Sequence, residues 1–436
     1  MSDLVELTAG QWGHGGVCVA RLDGRVVLLR LALPGERVLA RVTQRRAKFW
    51  RAEVVKVLAA SPDRVAHPWP AGQAAGVGGM DLAHVAPAAA RAAKAQVISE
   101  QLSHTLGKAA PVADIALGDA GSSSWRSLPA SAVGTDGRDG LSQSRVGESV
   151  ELGATSSTLS VEVRPVGSGD PLGWRTRLDL VAGADGRLGM HRSRSNQPVL
   201  VDGAPMAVPA IGELGLFGRR FAPGRVMAVA PSNGPAFVVG QDQVAPRRDE
   251  VVHLADGREW RYSLDGRGFW QAHYLAPATL VTEVLRRVGR LSGAVVWDLY
   301  CGAGLFTLPL AEGVGADGQV VGVESGRQAV ADATANLAGL DQVQLIRANV
   351  AGFTARTTQR PDVVVLDPPR AGAGPEVVQA LVDLAPPRVV YVSCEVSTLA
   401  RDLAGLAAGG YQVTEVTGYD LFPGTWHAEI ITTLTR

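Results

Sequence analysis

Cysteine is scarce in this chain: Cys18, Cys301 and Cys394 are the only three in 436 residues. Their wide spacing excludes a disulfide framework and a paired-cysteine metal site. No apolar stretch approaches the length of a membrane span. The opening residues, Met1-Ser2-Asp3-Leu4-Val5-Glu6, lack the basic-then-apolar layout of a secretory signal. A reducing cytoplasm is therefore the expected compartment. Net charge is also missing, since 42 Lys+Arg balance 42 Asp+Glu, which argues against a protein basic all over. What is present is ordinary for a globular protein: 46% hydrophobic and 19% charged residues, with 52 Gly and 25 Pro implying many turns. The length allows two or three domains.

The charge is unevenly spread. Residues 1–66 hold 11 of the Lys+Arg but only 6 of the Asp+Glu, so a basic module sits on a slightly acidic body. Within it, apolar–polar runs at Val17–Leu22, Arg25–Arg30 and Arg37–Val42 are separated by Asp23-Gly24 and Pro34-Gly35-Glu36. That pattern predicts a small all-β barrel. Its stretch Arg45-Arg46-Ala47-Lys48-Phe49-Trp50-Arg51 interleaves cations with aromatics. Such a stretch suits phosphates and stacked bases; a strand edge guarded by charge is the alternative.

Residues 83–107 have helical periodicity, with Ala95, Ile98 and Leu102 on one face. Residues 116–160 are rich in Gly, Ser, Ala and Asp, which predicts a flexible insertion. From Val161 to Gly268 short strands return, among them Trp174–Val181, Val226–Val229, Phe237–Val239 and Glu259–Tyr262. After Pro277, apolar strands at Val295–Tyr300, Gln319–Glu324, Val343–Val350, Asp362–Asp367 and Val389–Cys394 alternate with helical stretches such as Gly326–Leu340 and Pro375–Leu384. This alternation predicts a doubly wound, mostly parallel α/β sheet. Tyr411–Asp420 and Glu429–Leu434 are too close for a helical crossover and should pair antiparallel at one edge.

Three islands in this last region carry chemistry. Val296–Thr307 runs from a strand through Gly302 and Gly304, where a ligand must approach the backbone closely, into a helix. Glu324 closes the next strand, where a carboxylate can hold ribose hydroxyls. Thr307 occupies the third glycine position of a dinucleotide fingerprint, which disfavours a nicotinamide cofactor. Asp367-Pro368-Pro369-Arg370 ends one strand, and Cys394 ends the next, opening into Ser397–Leu403. A thiol there lies where open α/β sheets place ligands. Phe422–Glu429 follows.

These motifs, with Gly268-Phe269-Trp270-Gln271, resemble those of the S-adenosylmethionine-dependent RNA (uracil-5-)-methyltransferases, the tRNA and 23S rRNA 5-methyluridine enzymes. The N-terminal segment resembles their TRAM domain, an OB-like barrel. The resemblance implies a Rossmann-like methyltransferase sheet, S-adenosylmethionine as methyl donor, and tRNA or 23S rRNA as partner. It implies Cys394 as nucleophile and Glu429 as base. Gln271, Tyr300, Glu324, Asn349 and Asp367 would contact the cofactor or shape its pocket. The expected division is a barrel over 1–66, a central β-rich RNA-contacting domain over 67–277, and a catalytic domain over 278–436.

The chemistry is consistent with those residue types. Carbon 5 of uracil becomes nucleophilic once a thiolate has added to carbon 6, so a Cys is needed, and a base must later remove the carbon 5 proton. Cys394 would need a helix N-terminus or a cation such as Arg370 to ionise. If 425–429 is extended, Thr425, His427 and Glu429 face one way. The simpler readings are a core thiol for Cys394 and a surface strand residue for Glu429; His427 is left unassigned. Arg45, Arg46, Lys48 and Phe49, with Arg370, are the candidate RNA contacts. The family's Cys-Gly-Gly-Cys context is replaced by Val77-Gly78-Gly79-Met80, so no iron–sulfur cluster or other metal is expected. His273, Leu305 and Val396 also depart from the family pattern. The alternatives are an RNA cytosine-5 methyltransferase, or an RNA-binding factor with a vestigial cofactor site.

Overall fold

The computed structural model describes residues 4–109 and 159–436. Nearly all of the insertion read at 116–160 lies outside them. Strands β1 (Leu4–Thr8), β2 (Trp12–Gly13), β3 (Val17–Leu22), β4 (Arg25–Arg30), β5 (Arg37–Arg45) and β6 (Phe49–Ala59) form a six-stranded sheet in the order β1-β5-β6-β4-β3-β2. The β3–β4 turn places Asp23 at φ 48° and Gly24 at φ 78°, the left-handed pair that a two-residue hairpin favours. Leu7, Val27, Leu29, Val38 and Ala40 fill the interior. Arg64 donates to both oxygens of the buried Glu36, at 2.6 and 2.7 Å, tying the end of the segment to the barrel.

Helix α1 (Pro70–Ala75) precedes the long helix α2 (Pro87–Ala109). At 1.5 Å per residue α2 is about 34 Å long. Ala90, Ala93 and Val97 in its first half join the barrel core. Ile98, Leu102 and Leu106 in its second half join the core of the largest sheet. One helix thus serves two cores.

Strand β7 (Glu162–Pro165) is followed by β8 (Arg177–Ala182), β9 (Leu188–His191), β10 (Pro198–Leu200), the short α3 (Pro209–Gly212), β11 (Gly224–Val229) and β12 (Phe237–Gly240). A five-stranded sheet runs β10-β9-β8-β11-β12, and β13 (Arg247–His253) with β14 (Glu259–Asp265) makes a separate hairpin.

The remainder alternates helix and strand: α4 (Ala276–Val288), β15 (Val295–Leu299), α5 (Thr307–Val314), β16 (Gln319–Glu324), α6 (Arg327–Asn336), β17 (Val343–Arg347), α7 (Val350–Thr354), β18 (Val363–Leu366), α8 (Pro375–Leu384), β19 (Arg388–Ser393), α9 (Val396–Ala408), β20 (Gln412–Asp420) and β21 (Glu429–Thr435). The strands order as β17-β16-β15-β18-β19-β21-β20-β7. β15 to β19 are parallel, while β21 is antiparallel to both neighbours. The strand order reverses between β15 and β18, the place where doubly wound sheets bind ligands.

Two expectations need correction. The strand read over Val343–Val350 stops at Arg347, because the side chain of Asn349 accepts from the Ala351 amide at 2.9 Å and starts α7. The antiparallel pair β20–β21 is present but does not end the sheet. β7, grouped by sequence with the central region, pairs parallel to β20 and covers its open edge.

Candidate active site

All the candidate groups of the catalytic segment collect at one edge of the large sheet. β15, β16, β18 and β19 end at Leu299, Glu324, Leu366 and Ser393, delivering Tyr300, Glu324, Asp367 and Cys394 to the same side. β21 runs the other way and so begins at this edge, with Glu429. Ser393 pairs with Ile430; Cys394 follows the one, Glu429 precedes the other, and the charge of Glu429 acts on the thiol.

The loop after β15 is built for close approach. Tyr300, Gly302 and Gly304 all have positive φ, 65°, 56° and 94°. A Cβ added at Gly302 would meet nothing within 4 Å, so the space above it is open. Glu324 Oε2 accepts from the Gly302 amide at 3.2 Å, and its Oε1 from the Gly326 amide at 2.6 Å, fixing the carboxylate beside the loop. Asp298 is buried; Thr307 donates to its Oδ2 at 2.5 Å, while Oδ1 has no partner. Burial, with Asp367 and Glu324 adding negative potential, pushes Asp298 up to about 7. A ligand carrying hydroxyls and positive charge fits this rim, because its charge would offset the gathered carboxylates and its donors could reach them. Asn349 is exposed at the same edge. Gln271 stands apart, lining a cleft of the central region with Thr176, Glu250 and Trp270.

Cys394 is partly buried. Burial, then the negative charge of Glu429, pushes its thiol up to about 11, while Arg370 pulls the other way. The helix that was expected to favour ionisation starts at Val396, and its N-cap is the acidic Glu395, whose carboxylate accepts from the Ser397 hydroxyl at 2.9 Å. Burial outweighs the pull of Arg370 on the thiol. Burial and the charge of Asp367 raise Glu429 well above the carboxylate range, with Arg370 opposing. Asp367 is itself raised by burial.

Two further side chains support the site. Asp402, 1% exposed, accepts from Tyr391 Oη and the Ala373 amide, both at 2.8 Å, and so shapes the turn after Asp367-Pro368-Pro369-Arg370. Lys94 on α2, also 1% exposed, donates to Asp420 Oδ1 at 2.6 Å, the His427 carbonyl at 2.7 Å and the Phe422 carbonyl at 3.3 Å. It fastens both ends of the loop that leads into Glu429. Nothing in the sequence around Lys94 signals this, since its partners lie more than 300 residues away.

That loop is not extended: Thr425 Oγ1 donates to the Phe422 carbonyl and accepts from the His427 amide. Thr425, His427 and Glu429 therefore do not form the expected row. Burial, followed by the charge of Arg370, lowers His427 to about 4. The barrel reaches this cleft as well, for His14 and Trp426 line it with Cys394 and Glu395. Arg45, Arg46 and Lys48 are exposed at the β5–β6 turn with Phe49 beside them, and the Arg45 guanidinium lies 5.0 Å from the Trp50 ring centroid.

The departures from the family pattern are accommodated locally. His273 stacks between Trp174 and Tyr274 at 5.7 and 5.0 Å, and the Leu305 carbonyl accepts from Tyr262 Oη. Val396 is buried at the start of α9. In the Val77–Val85 stretch, Val77, Met80, Leu82, Ala83 and Val85 face inward. Among the described residues no group of three or more His, Cys, Asp or Glu is placed to hold a metal ion, and no helix is long and apolar enough to cross a membrane.

Comparison with known proteins agrees with this architecture. The model of the tRNA (uracil-5-)-methyltransferase family matches residues 225–436, and that of the TRAM domain residues 5–55. An uncharacterized RNA methyltransferase of Streptomyces avermitilis is 34% identical over all of this chain and 98% of its own length. One from Bifidobacterium longum is 32% identical over 99% and 96%. Pyrococcus abyssi tRNA (uracil-54, C5)-methyltransferase, solved with S-adenosyl-L-homocysteine, shares the fold. Its TM-score is 0.64 at 19% identity, over 99% of this chain and 100% of that one. The chain is an RNA methyltransferase belonging to the tRNA (uracil-5-)-methyltransferase family, with a TRAM domain at its N-terminal side.

Proposed function

We propose that this protein methylates carbon 5 of a uridine in cytoplasmic tRNA or 23S rRNA, using Cys394 as nucleophile and Glu429 as base. The observation that carries the reading is the meeting of β19 and β21 at the ligand edge of the sheet, where a thiol and a buried carboxyl flank the last pair, Ser393 with Ile430, and the carboxyl's charge acts on the thiol. S-adenosylmethionine supplies the electrophilic methyl group when bound; Tyr300, Gly302, Gly304, Glu324, Asn349 and Asp367 would hold it, with Gln271 at a greater remove. The barrel over 1–66 and the central region over 67–277 would contact RNA, and residues 278–436 would carry the chemistry.

Cys394 first gives its proton to water and its thiolate bonds to carbon 6, and the ring's electron pair moves to make an enolate. Carbon 5 then takes the methyl group, whose bond to the donor's sulfonium breaks with both electrons staying on sulfur as a neutral thioether. Glu429 removes the proton left on carbon 5, and the returning electron pair expels the thiolate, leaving 5-methyluridine. The raised Glu429 makes a stronger base than a solvated carboxylate, which suits this step. A cation bound among the carboxylates would favour their charged forms, and Arg370 favours the thiolate.

The test is a pair of variants. Cys394→Ala should form no covalent species with RNA. Glu429→Gln should add, methylate and stall, accumulating a protein–RNA adduct that survives denaturing electrophoresis. Normal turnover by Glu429→Gln, or an adduct with Cys394→Ala, refutes the assignment. Product nucleoside analysis separates uridine from cytidine methylation.

A further inference from the structure

A concavity lies between the barrel and the turn after β9, lined by Arg30, Arg46, Arg51, Glu53 and Arg194. Arg30 is paired, to Glu53 at 3.4 Å and to Asp81 at 3.1 Å. Among the described residues Arg51 and Arg194 have no carboxylate partner. The Arg51 guanidinium lies 5.5 Å from the Phe49 ring centroid, and Arg194 donates to the Gly15 carbonyl at 2.5 Å. Burial and the nearby Arg30 and Arg51 lower Arg194 from its usual value, with Asp81 opposing, so the guanidinium groups of this cluster outnumber its carboxylates, Glu53 and Asp81. Arg194 also holds φ at 57°, a left-handed conformation that costs energy in a non-glycine residue and often marks a binding site.

The position of this cluster says what it faces. Gly15, which receives Arg194, adjoins His14, and His14 lines the Cys394 cleft. Arg194 thus holds the residue next to one that lines the thiol's cleft. Guanidinium forks match the oxygens of a phosphodiester, and an aromatic beside them suits a stacked base.

We propose that this concavity is a phosphodiester track, in which Arg51 from the barrel and Arg194 from the central sheet clasp the backbone of the RNA strand whose target base enters the Cys394 cleft. The proposal rests on the methyl-transfer reading. It adds contacts contributed jointly by two parts of the chain to those of the β5–β6 turn.

The test measures binding of a labelled single-stranded oligouridylate across a salt series, with the full chain. Each phosphate contact on a single strand contributes a slope of about −0.7 in log K against log salt. Arg51→Gln and Arg194→Gln should each flatten the slope by about 0.7 and together by about 1.4. Arg194→Lys should keep its slope, and Arg37→Gln, at the far end of β5, should change nothing. S-adenosylmethionine binding and the urea midpoint should be unaltered in every variant. A double variant with the parent slope overturns the track, as does one that loses affinity without flattening. Salt-independent or absent binding by the parent protein would instead overturn the methyl-transfer reading, and the track with it.

Discussion

Lys94 offers the sharpest separation of stability from catalysis. Its ammonium group is fully enclosed, and burial lowers its pKa while Asp420 opposes that shift. Three acceptors surround it: one carboxylate and two loop carbonyls. Lys94→Met strands the Asp420 carboxylate, which is 2% exposed, and breaking a buried pair in this way costs about 3–5 kcal/mol. Each carbonyl left without a donor adds about 1–3 kcal/mol wherever water cannot reach it. Lys94→Met/Asp420→Leu removes both charges, and apolar replacement of a buried pair is often close to neutral. The double variant should therefore recover most of the urea stability lost by Lys94→Met. It should not recover activity, because the Phe422 and His427 carbonyls still lack the donor that shapes the approach to Glu429. Single-turnover methyl transfer should stay at least about tenfold slow, a loss of about 1.4 kcal/mol in the transition state, while RNA and S-adenosylmethionine affinities remain near the parent's. Recovery of rate together with stability would refute the positioning role, and so would a Lys94→Met protein as stable as the parent.

Three further outcomes follow from the geometry. Iodoacetamide should label Cys394 before Cys18 and Cys301, whose buried thiols are raised further, and its rate should rise about tenfold per pH unit below about 11; Glu429→Gln should speed labelling and Arg370→Gln should slow it, and equal rates would show that neither charge acts on the thiol. His84 is buried with both ring nitrogens unpartnered and lowered to about 3 from 6.5, burial being the main cause. Folding favours its neutral form, so its contribution is fully present above 6.5 and falls by about 1.4 kcal/mol per pH unit from there towards about 3; His84→Leu should remove that part of the slope in urea titrations, and an unchanged slope would refute the assignment. At Gly372, φ is 79° and a Cβ would meet Asp402 Oδ2 at 2.5 Å, so Gly372→Ala should cost more than about 1 kcal/mol and disturb methyl transfer through the turn after Arg370; a neutral melting temperature would count against that close approach.

By itself, the sequence determined what depends on neighbours in the chain. Alternating polarity and the Asp23-Gly24 turn specify the β3–β4 hairpin, because a two-residue link admits few backbone geometries. The strand–helix alternation after Pro277 specifies a parallel sheet, and a parallel sheet brings the strand ends carrying Tyr300, Glu324, Asp367 and Cys394 to one edge. Asn349 shows the limit of that reading: an apolar run continued on paper, but a side chain that can cap its own backbone ended the strand. Tertiary structure alone decided the rest. The antiparallel entry of β21 brought Glu429 to the end of β19 near Cys394, and β7 closed a sheet edge from another part of the chain. Lys94 met Asp420 across 326 residues. Burial also raises the Cys394 thiol against the pull of Arg370, since desolvation depends on everything packed around a group and not on the residues beside it in sequence.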